Sequence, residues 1–251
     1  MESHDITATD KNDVKLPTIA SGTSPAEHSR SLLRGRVLVT VGLILLVTFA
    51  LVTLLVVFAD PLAFDVPITK ELQEIDYGPF GWLMAAVSAP GFLPWNFIFP
   101  AVLIGGLLLL RHGLEALFLF LASIATASAE LIKHFVQRSR PGADVVNVVH
   151  QLTSYSFPSG HVTQYTLVFG FCFYLAFTLV KPGFLRNILL VLTGAMIVLV
   201  APSRIWLGQH WASDVLGGYA LGFGLLALVI WGYRGWQARI VEQRSTVQHS
   251  K

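Results

Sequence analysis

Residues Val37–Ala59 read VLVTVGLILLVTFALVTLLVVFA, twenty-three positions without a charge, bounded by Arg36 before and Asp60-Pro61 after. A helix rises about 1.5 Å per residue, and roughly twenty apolar residues cross a hydrocarbon core about 30 Å thick, so this run has the length of a membrane span. It is too long for the apolar stretch of a cleavable signal and no small-residue cleavage site follows it, so it is expected to stay as a first span. Composition agrees: 54% of the 251 residues are hydrophobic and 13% charged, a balance that a soluble domain of this size cannot hide.

Five further stretches approach the same length: Phe92–Leu110, Leu114–Ile132, Val162–Val180, Phe184–Ala201 and Val215–Trp231. Arg111-His112-Gly113 joins the second to the third and Lys181-Pro182-Gly183 the fourth to the fifth; turns so short make each pair an antiparallel hairpin. Arg186 leaves the fifth a short uncharged core. The expected fold is all-α, a polytopic membrane bundle of six transmembrane helices with short interfacial helices. Residues 1–30 are polar and lack apolar periodicity, so they are expected to form a disordered tail. Residues 31–235 are expected to form one membrane domain and residues 236–251 a C-terminal tail. Between the first two spans, Ile68–Ala89 has the spacing for one or two short surface helices, with Trp82 and Trp95 at interfacial depth; a lid or brace and a plain connector both fit. The single Cys172 sits in an apolar run and has no partner for an intrachain disulfide. A net charge of +2, with no basic stretch interleaved with aromatics, argues against nucleic acid as a partner.

Short cytoplasmic loops are enriched in lysine and arginine. Arg30, Arg34 and Arg36 precede the first span, Arg111 lies in the first hairpin, Lys181 and Arg186 in the second, and Arg234, Arg239 and Arg244 follow the last. These positions alternate consistently for six spans with both termini cytoplasmic, in an inner or plasma membrane. The opposite side, facing a periplasm or the exterior, holds Lys133, Arg138, Arg140 and Arg204 against the rule, which suggests that several are kept there for chemistry.

Three clusters fall on that outer side. Lys133 is followed after six residues by Arg140-Pro141; Pro158-Ser159-Gly160-His161 leads into the fourth span; and Ser203-Arg204, His210 and Asp214 run from the fifth span into the sixth. In these three motifs, their order and their spacing, the sequence resembles the type 2 phosphatidic acid phosphatase family, and all eleven fixed residues of that signature are present. The resemblance, with the spans that frame it, covers about two thirds of the chain. It implies a membrane lipid phosphatase that forms a phosphohistidine on His210, with His161 and Asp214 catalytic and Lys133, Arg140, Ser159, Gly160 and Arg204 cradling the phosphate.

The residues lead to the same chemistry. A phosphate monoester carries about two negative charges at neutral pH, and binding it beside a low-dielectric medium demands fixed cations. Arg140 and Arg204 offer planar forks and Lys133 a compact charge. Ser159 and Gly160 open a helix, whose free N–H groups and dipole favour an anion. His210 and Asp214, four apart, lie on one face if the helix is continuous, so the carboxylate can hold one ring nitrogen protonated and leave the other as nucleophile. His161, from another helix, is then expected to protonate the leaving oxygen and activate water. No metal or other cofactor is expected, since the cations supply the charge stabilisation.

Taken singly, a histidine near a span end is more often an interface residue than a catalyst; the matched partners reverse that for His161 and His210. His112, His134 and His150 lack such partners and are given structural or solvent roles, His134 standing next to Lys133. Glu130, one turn before Lys133, either pairs with it or snorkels to the surface, with the pair favoured. Arg138 is read as an electrostatic helper of the cradle, and Trp206 and Trp211 as interface anchors. The expected partners are the bilayer and a lipid phosphate or diphosphate: phosphatidic acid, phosphatidylglycerophosphate and undecaprenyl diphosphate all fit. Hydrolysis, transfer of the phosphate to a lipid or sugar acceptor, and a non-catalytic lipid-binding or transport scaffold are the functional classes left open, although a scaffold would be expected to lose His210 or Asp214. Oligomeric state is not legible.

Overall fold

A computed structural model describes residues 25–75 and 77–249, and every regular element among them is helical. α1 (Pro25–Phe58) leads into α2 (Asp65–Gln73); a π-turn at Tyr77–Gly81, α3 (Trp82–Ser88) and a 3₁₀ turn at Ala89–Gly91 follow. Then come α4 (Trp95–Leu109), α5 (Gly113–Ala125), α6 (Ala127–Val136), α7 (Gly160–Leu179), α8 (Phe184–Trp206) and α9 (Ala212–His249). The expected tail lies, up to residue 24, outside the described residues. The boundaries drawn at residues 30 and 235 fall inside α1 and α9, whose helices run on past them.

Among the described residues five segments are long and apolar enough to cross a membrane: Leu33–Phe58, Gly113–Val136, Gly160–Leu179, Phe184–Trp206 and Ala212–Gln243. The expected second span is different. α4 has 15 residues, a length of about 22 Å at the usual rise, and it is bent by 67° from the segment Gly78–Gly91 before it. Pro90, Gly91 and Pro94 explain the break, because proline cannot continue a helix through its own N–H and excludes the helical region for its predecessor. A sixth crossing exists only if this bent pair is taken as one broken span. The third span is also interrupted, at Thr126, where the hydroxyls of Thr126 and Ser128 bond back to the carbonyls of Ser123 and Ala125 at 2.7 Å and compete with the helical ladder.

α7 is the central helix, buried along most of its length and packed against α5, α8 and α9. One apolar cluster joins Phe118, Leu119, Leu167, Phe171, Leu226 and Tyr233; a second joins Val162, Tyr165, Phe169, Val200 and Val215. Outward, the bundle presents side chains such as Leu109 (87% exposed) and Phe184 (83%), a surface untenable in water but matched to hydrocarbon. Lipid tails are as apolar as leucine, so helices associate here by close packing rather than by escape from water. α1 and α9 illustrate this: a Cβ on Gly42 would stand 3.2 Å from the Gly224 carbonyl, and one on Gly224 would stand 2.9 Å from Leu46. Two facing glycines let the backbones touch.

α3 and the turn after it form a brace rather than a free connector. Ser203 Oγ donates to the Met84 carbonyl at 2.7 Å and Tyr165 OH to the Val87 carbonyl at 2.6 Å, fastening the segment across α8 and α7. Trp206 and Trp211, expected at the interface, are buried instead, Trp206 against Met84, Leu207 and the edge of Phe80. The end of α8 turns inward beneath α3, which removes these rings from the lipid boundary.

Candidate active site

The C-terminal ends of α6 and α8 and the N-terminal ends of α7 and α9 meet at one end of the bundle, opposite the α4–α5 and α7–α8 hairpins. All three motifs lie there. Lys133, in the last turn of α6, is buried and donates from Nζ to Glu130 Oε1 at 2.7 Å, the expected pair, with Glu130 itself 59% exposed. Lys133 reaches the start of α7: a Cβ on Gly160 would stand 3.3 Å from Nζ and 2.8 Å from Glu130 Oε1. Ser159 is the N-cap of α7, yet its hydroxyl is buried without a partner and caps no backbone group. A buried hydroxyl beside free helical N–H groups is a place for an anion.

His210 was expected on a helix continuous with Asp214. It sits instead in the connection between α8 and α9. Gly208, at φ +65°, ends α8 in a Schellman turn: Gly208 N–H donates to the Ile205 carbonyl at 2.9 Å and Gln209 N–H to the Arg204 carbonyl at 3.2 Å. The Arg204 carbonyl also accepts from His210 N–H at 3.3 Å. Only glycine enters this left-handed region cheaply, and a side chain at residue 208 would strike the Asn147 carbonyl. Asp214 is the third residue of α9, and its Oδ2 reaches back to Trp211 N–H at 2.8 Å, a carboxylate closing the first turn.

The pairing survives the change of element. His210 Nδ1 lies 3.5 Å from Asp214 Oδ2, and Ser156 Oγ, 3.4 Å from the same nitrogen, donates to Oδ2 at 2.5 Å. Arg140 Nη1 donates to His210 Nε2 at 3.2 Å, so Nε2 is the unprotonated ring nitrogen and Nδ1, on the side of the carboxylate, carries the proton. Burial, reinforced by the charges of Arg140, Arg204 and Lys133, holds the His210 imidazole well below its ordinary range and so uncharged at neutral pH.

Besides His210 Nε2, Arg140 binds oxygen atoms that carry no full charge, donating to the carbonyls of Ser154 at 2.6 Å, Gln209 at 2.5 Å and Tyr155 at 3.2 Å and to Ser154 Oγ at 2.9 Å. Arg204, fully buried, donates to Ser88 Oγ and Gln209 Oε1 and lies over the Phe92 ring at 5.1 Å. Among the described residues neither forms a salt bridge, and the Nε of Arg204 and the Nε2 of Gln209 are buried without partners. His161, in the first turn of α7, stacks edge-on with Phe92 at 4.6 Å, within electrostatic reach of His210, Lys133, Arg140 and Arg204, and its Nε2 is likewise unpartnered. A buried and a half-buried arginine, neither bonded to a carboxylate among the described residues, beside unsatisfied donors form a site shaped for an anion.

Arg138 does not join this group. Its fork is engaged by Asp60, Asp65 and Asp214. Burial lowers its pKa, but the three carboxylates outweigh that and hold it above the ordinary range. Sequence reasoning missed Asp65, Ser88, Gly91 and Phe92, which approach the motifs from elsewhere in the chain, and Ser156 and Gln209, which stand beside or within them. Gly91 matters by its lack of a side chain, since a Cβ there would run into the His161 ring. A polar cleft of about 250 Å³, lined by Ser139, His150, Thr153, Ser154 and Tyr155 among others, opens beside Arg140. Among the described residues no three His, Cys, Asp or Glu side chains group as ligands for a metal ion.

Comparison with known proteins gives a family. The model of the PAP2 superfamily matches residues 114–238. The chain is 38% identical over 104 residues to phosphatidylglycerophosphatase B of Bacillus subtilis (strain 168), covering 40% of this chain and 48% of that protein. It is 35% identical over 106 residues to a putative undecaprenyl-diphosphatase of Escherichia coli (strain K12), covering 41% and 49%. To decaprenylphosphoryl-5-phosphoribose phosphatase of Mycobacterium tuberculosis (strain ATCC 25618 / H37Rv) it is 37% identical over 112 residues, covering 43% and 55%. The matched region thus spans about half the length of these relatives. The crystal structure of a transmembrane PAP2-type phosphatidylglycerolphosphate phosphatase from Bacillus subtilis shares the fold, with a TM-score of 0.67 at 23% identity over 79% of this chain and 96% of that one. With its three motifs gathered at one end of a helical membrane bundle, the chain belongs to the PAP2 superfamily.

Proposed function

We propose that this chain is an integral membrane phosphatase that removes phosphate from a lipid phosphate or diphosphate through a phosphohistidine on His210. The observation that carries the reading is His210 Nε2, unprotonated and accepting from Arg140 Nη1 at 3.2 Å, beside a guanidinium whose other bonds go to uncharged oxygens and which can turn to an incoming phosphate. The names of the relatives share a lipid-borne phosphate, which supports the substrate class.

In this reading the phosphate enters among Lys133, Arg140, Arg204 and the N-terminus of α7, with Ser159 Oγ as an added donor. Nε2 forms a bond to phosphorus as the bond to the lipid oxygen breaks, and a proton from His161 passes to that oxygen. Water then attacks the phosphohistidine, gives its proton to His161 and returns the electron pair to Nε2. The cations neutralise the charge on the equatorial oxygens in both steps, and in a dry site they act more strongly than in water. The polar cleft beside Arg140 gives water and released phosphate a route outside the hydrocarbon.

Orientation belongs to the same proposal. Arg34, Arg36, Arg111, Lys181 and Arg234 fall at the bundle end away from the site or toward the chain termini, which supports cytoplasmic termini and a site open to a periplasm or the exterior. The test is phosphate release by protein purified in detergent from a panel of lipid phosphates and diphosphates, with His210→Ala as control. Release without any added acceptor is the expected result; product only when a lipid or sugar acceptor is supplied would mean phosphotransfer, and no turnover of any lipid phosphate would defeat the reading.

A further inference from the structure

Arg138 lies in the loop between α6 and α7, yet it is 3% exposed and holds three acidic side chains at once. Its Nη1 donates to Asp214 Oδ1 at 2.5 Å, its Nη2 to Asp65 Oδ2 at 2.7 Å and its Nε to Asp60 Oδ1 at 2.7 Å. Asp65, the first residue of α2, is fully buried, and its Oδ1 accepts from Ser213 N–H at 2.9 Å, so the start of α2 also grips the first turn of α9 next to Asp214. Nη1 of Arg138 donates to Ser213 Oγ at 2.7 Å, closing the ring of contacts.

Asp214 is fully buried, and it orients His210 only while ionised. A lone carboxylate at such a position takes up a proton, so its charge needs a fixed neighbour of opposite sign. The cations of the phosphate cradle serve the other nitrogen of His210, and the side of Asp214 away from the imidazole is held by Arg138 alone among the charged side chains that bond to it. We propose that Arg138, clamped by Asp60 and Asp65, is the positioning residue that keeps Asp214 ionised and aimed at His210. Asp60 and Asp65 stand outside residues 114–238, so α2, although remote from the three motifs, becomes a working part of the centre.

This inference rests on the proposed phosphohistidine chemistry, and two measurements separate the two. In turnover of a lipid phosphate, Arg138→Ala is expected to lower kcat about 10–100-fold, in the range found for groups that orient a catalytic ligand, with KM within about twofold. Guanidinium chloride, unlike sodium chloride at equal ionic strength, should restore part of the loss. Asp65→Asn, which keeps the shape of the side chain, should lower kcat in the same sense and guards against a folding failure of the arginine variant. In ¹⁵N-histidine NMR of the unliganded protein, His210 should be protonated at Nδ1 in the wild type and lose that preference in both variants. An unchanged kcat, or a loss confined to KM, overturns the inference. If the wild type releases no phosphate the phosphatase reading falls, and the tautomer decides alone: an unaltered His210 in Asp65→Asn overturns the role given to Arg138.

Discussion

His210 Nε2 and Arg140 Nη1 lie 3.2 Å apart, so the nitrogen with the free electron pair and a fork able to hold a phosphoryl oxygen face the same point. A phosphorus atom brought by the guanidinium arrives at the nucleophile, which is the geometric content of proximity in catalysis.

Replacing His210 with alanine should therefore abolish both phosphate release and an acid-labile phosphoenzyme trapped from labelled substrate. Asp214→Asn leaves packing in place but loses the charge that holds Nδ1–H, and turnover should fall by about 10⁴-fold, as with other dyads of this kind. Phosphoenzyme formation in the His210 variant would count against nucleophilic attack by this residue.

The pH dependence has a definite sign. Burial and the neighbouring cations depress the His210 pKa, so the nucleophile stays uncharged at and below the pH where an ordinary imidazole, near 6.5, is half protonated. The acid limb of kcat/KM assigned to His210 should lie below pH 6.5. Arg140→Gln removes one of the opposing charges and should move that limb to higher pH, besides raising KM; a limb displaced downward would contradict the electrostatic account.

Gly91 sets the place of His161. Gly91→Ala drives a methyl group into the imidazole and should slow lipid phosphates, which have poor leaving groups, more than p-nitrophenyl phosphate. His161→Ala should show the same contrast more strongly, with a loss of about 10²–10⁴-fold on the lipid substrate, the usual worth of a general acid. Equal losses on both substrates would leave His161 without the proton-donor role.

Gly42 and Gly224 test packing apart from chemistry. Gly224→Leu separates α1 from α9 and should destabilise the protein by about 1–3 kcal/mol, the usual cost of overpacking, measured as a lowered Tm in detergent. KM for the lipid phosphate should be unaltered at low temperature, since the contact is far from the motifs along α9.

The helical bundle was legible because a span announces itself by length and by missing charge, as Val37–Ala59 does. The exception, α4, contains enough apolar residues, but Pro90 and Pro94 bend the chain before it, and hydropathy alone does not register a bend. The motif residues were legible because their side chains lie on helix ends, or on the loops joining them, at one end of the bundle. Spacing misled at His210, where four residues to Asp214 suggested a shared helix face; Gly208, two residues earlier, was the sign that one helix stops before the next begins. Asp65, Ser88 and Phe92 left no trace, since they meet the site from more than a hundred residues away in sequence, through short segments without periodicity. Arg138 was misread because an arginine among arginines looks like one more anchor for phosphate, and only the fold reveals that carboxylates surround it.

The turn that ends α8 makes chain length itself a catalytic parameter. One carbonyl, that of Arg204, accepts from both Gln209 and His210, tying the proposed phosphate ligand and the proposed nucleophile into a single closed knot of backbone. Adding or deleting one position inside that knot would rotate the imidazole away from its carboxylate, whereas the long segment before α7 can drift in length as long as Arg138, Arg140 and Ser156 still reach home. A gap of five between Arg204 and His210 is thus a ruler laid down by geometry.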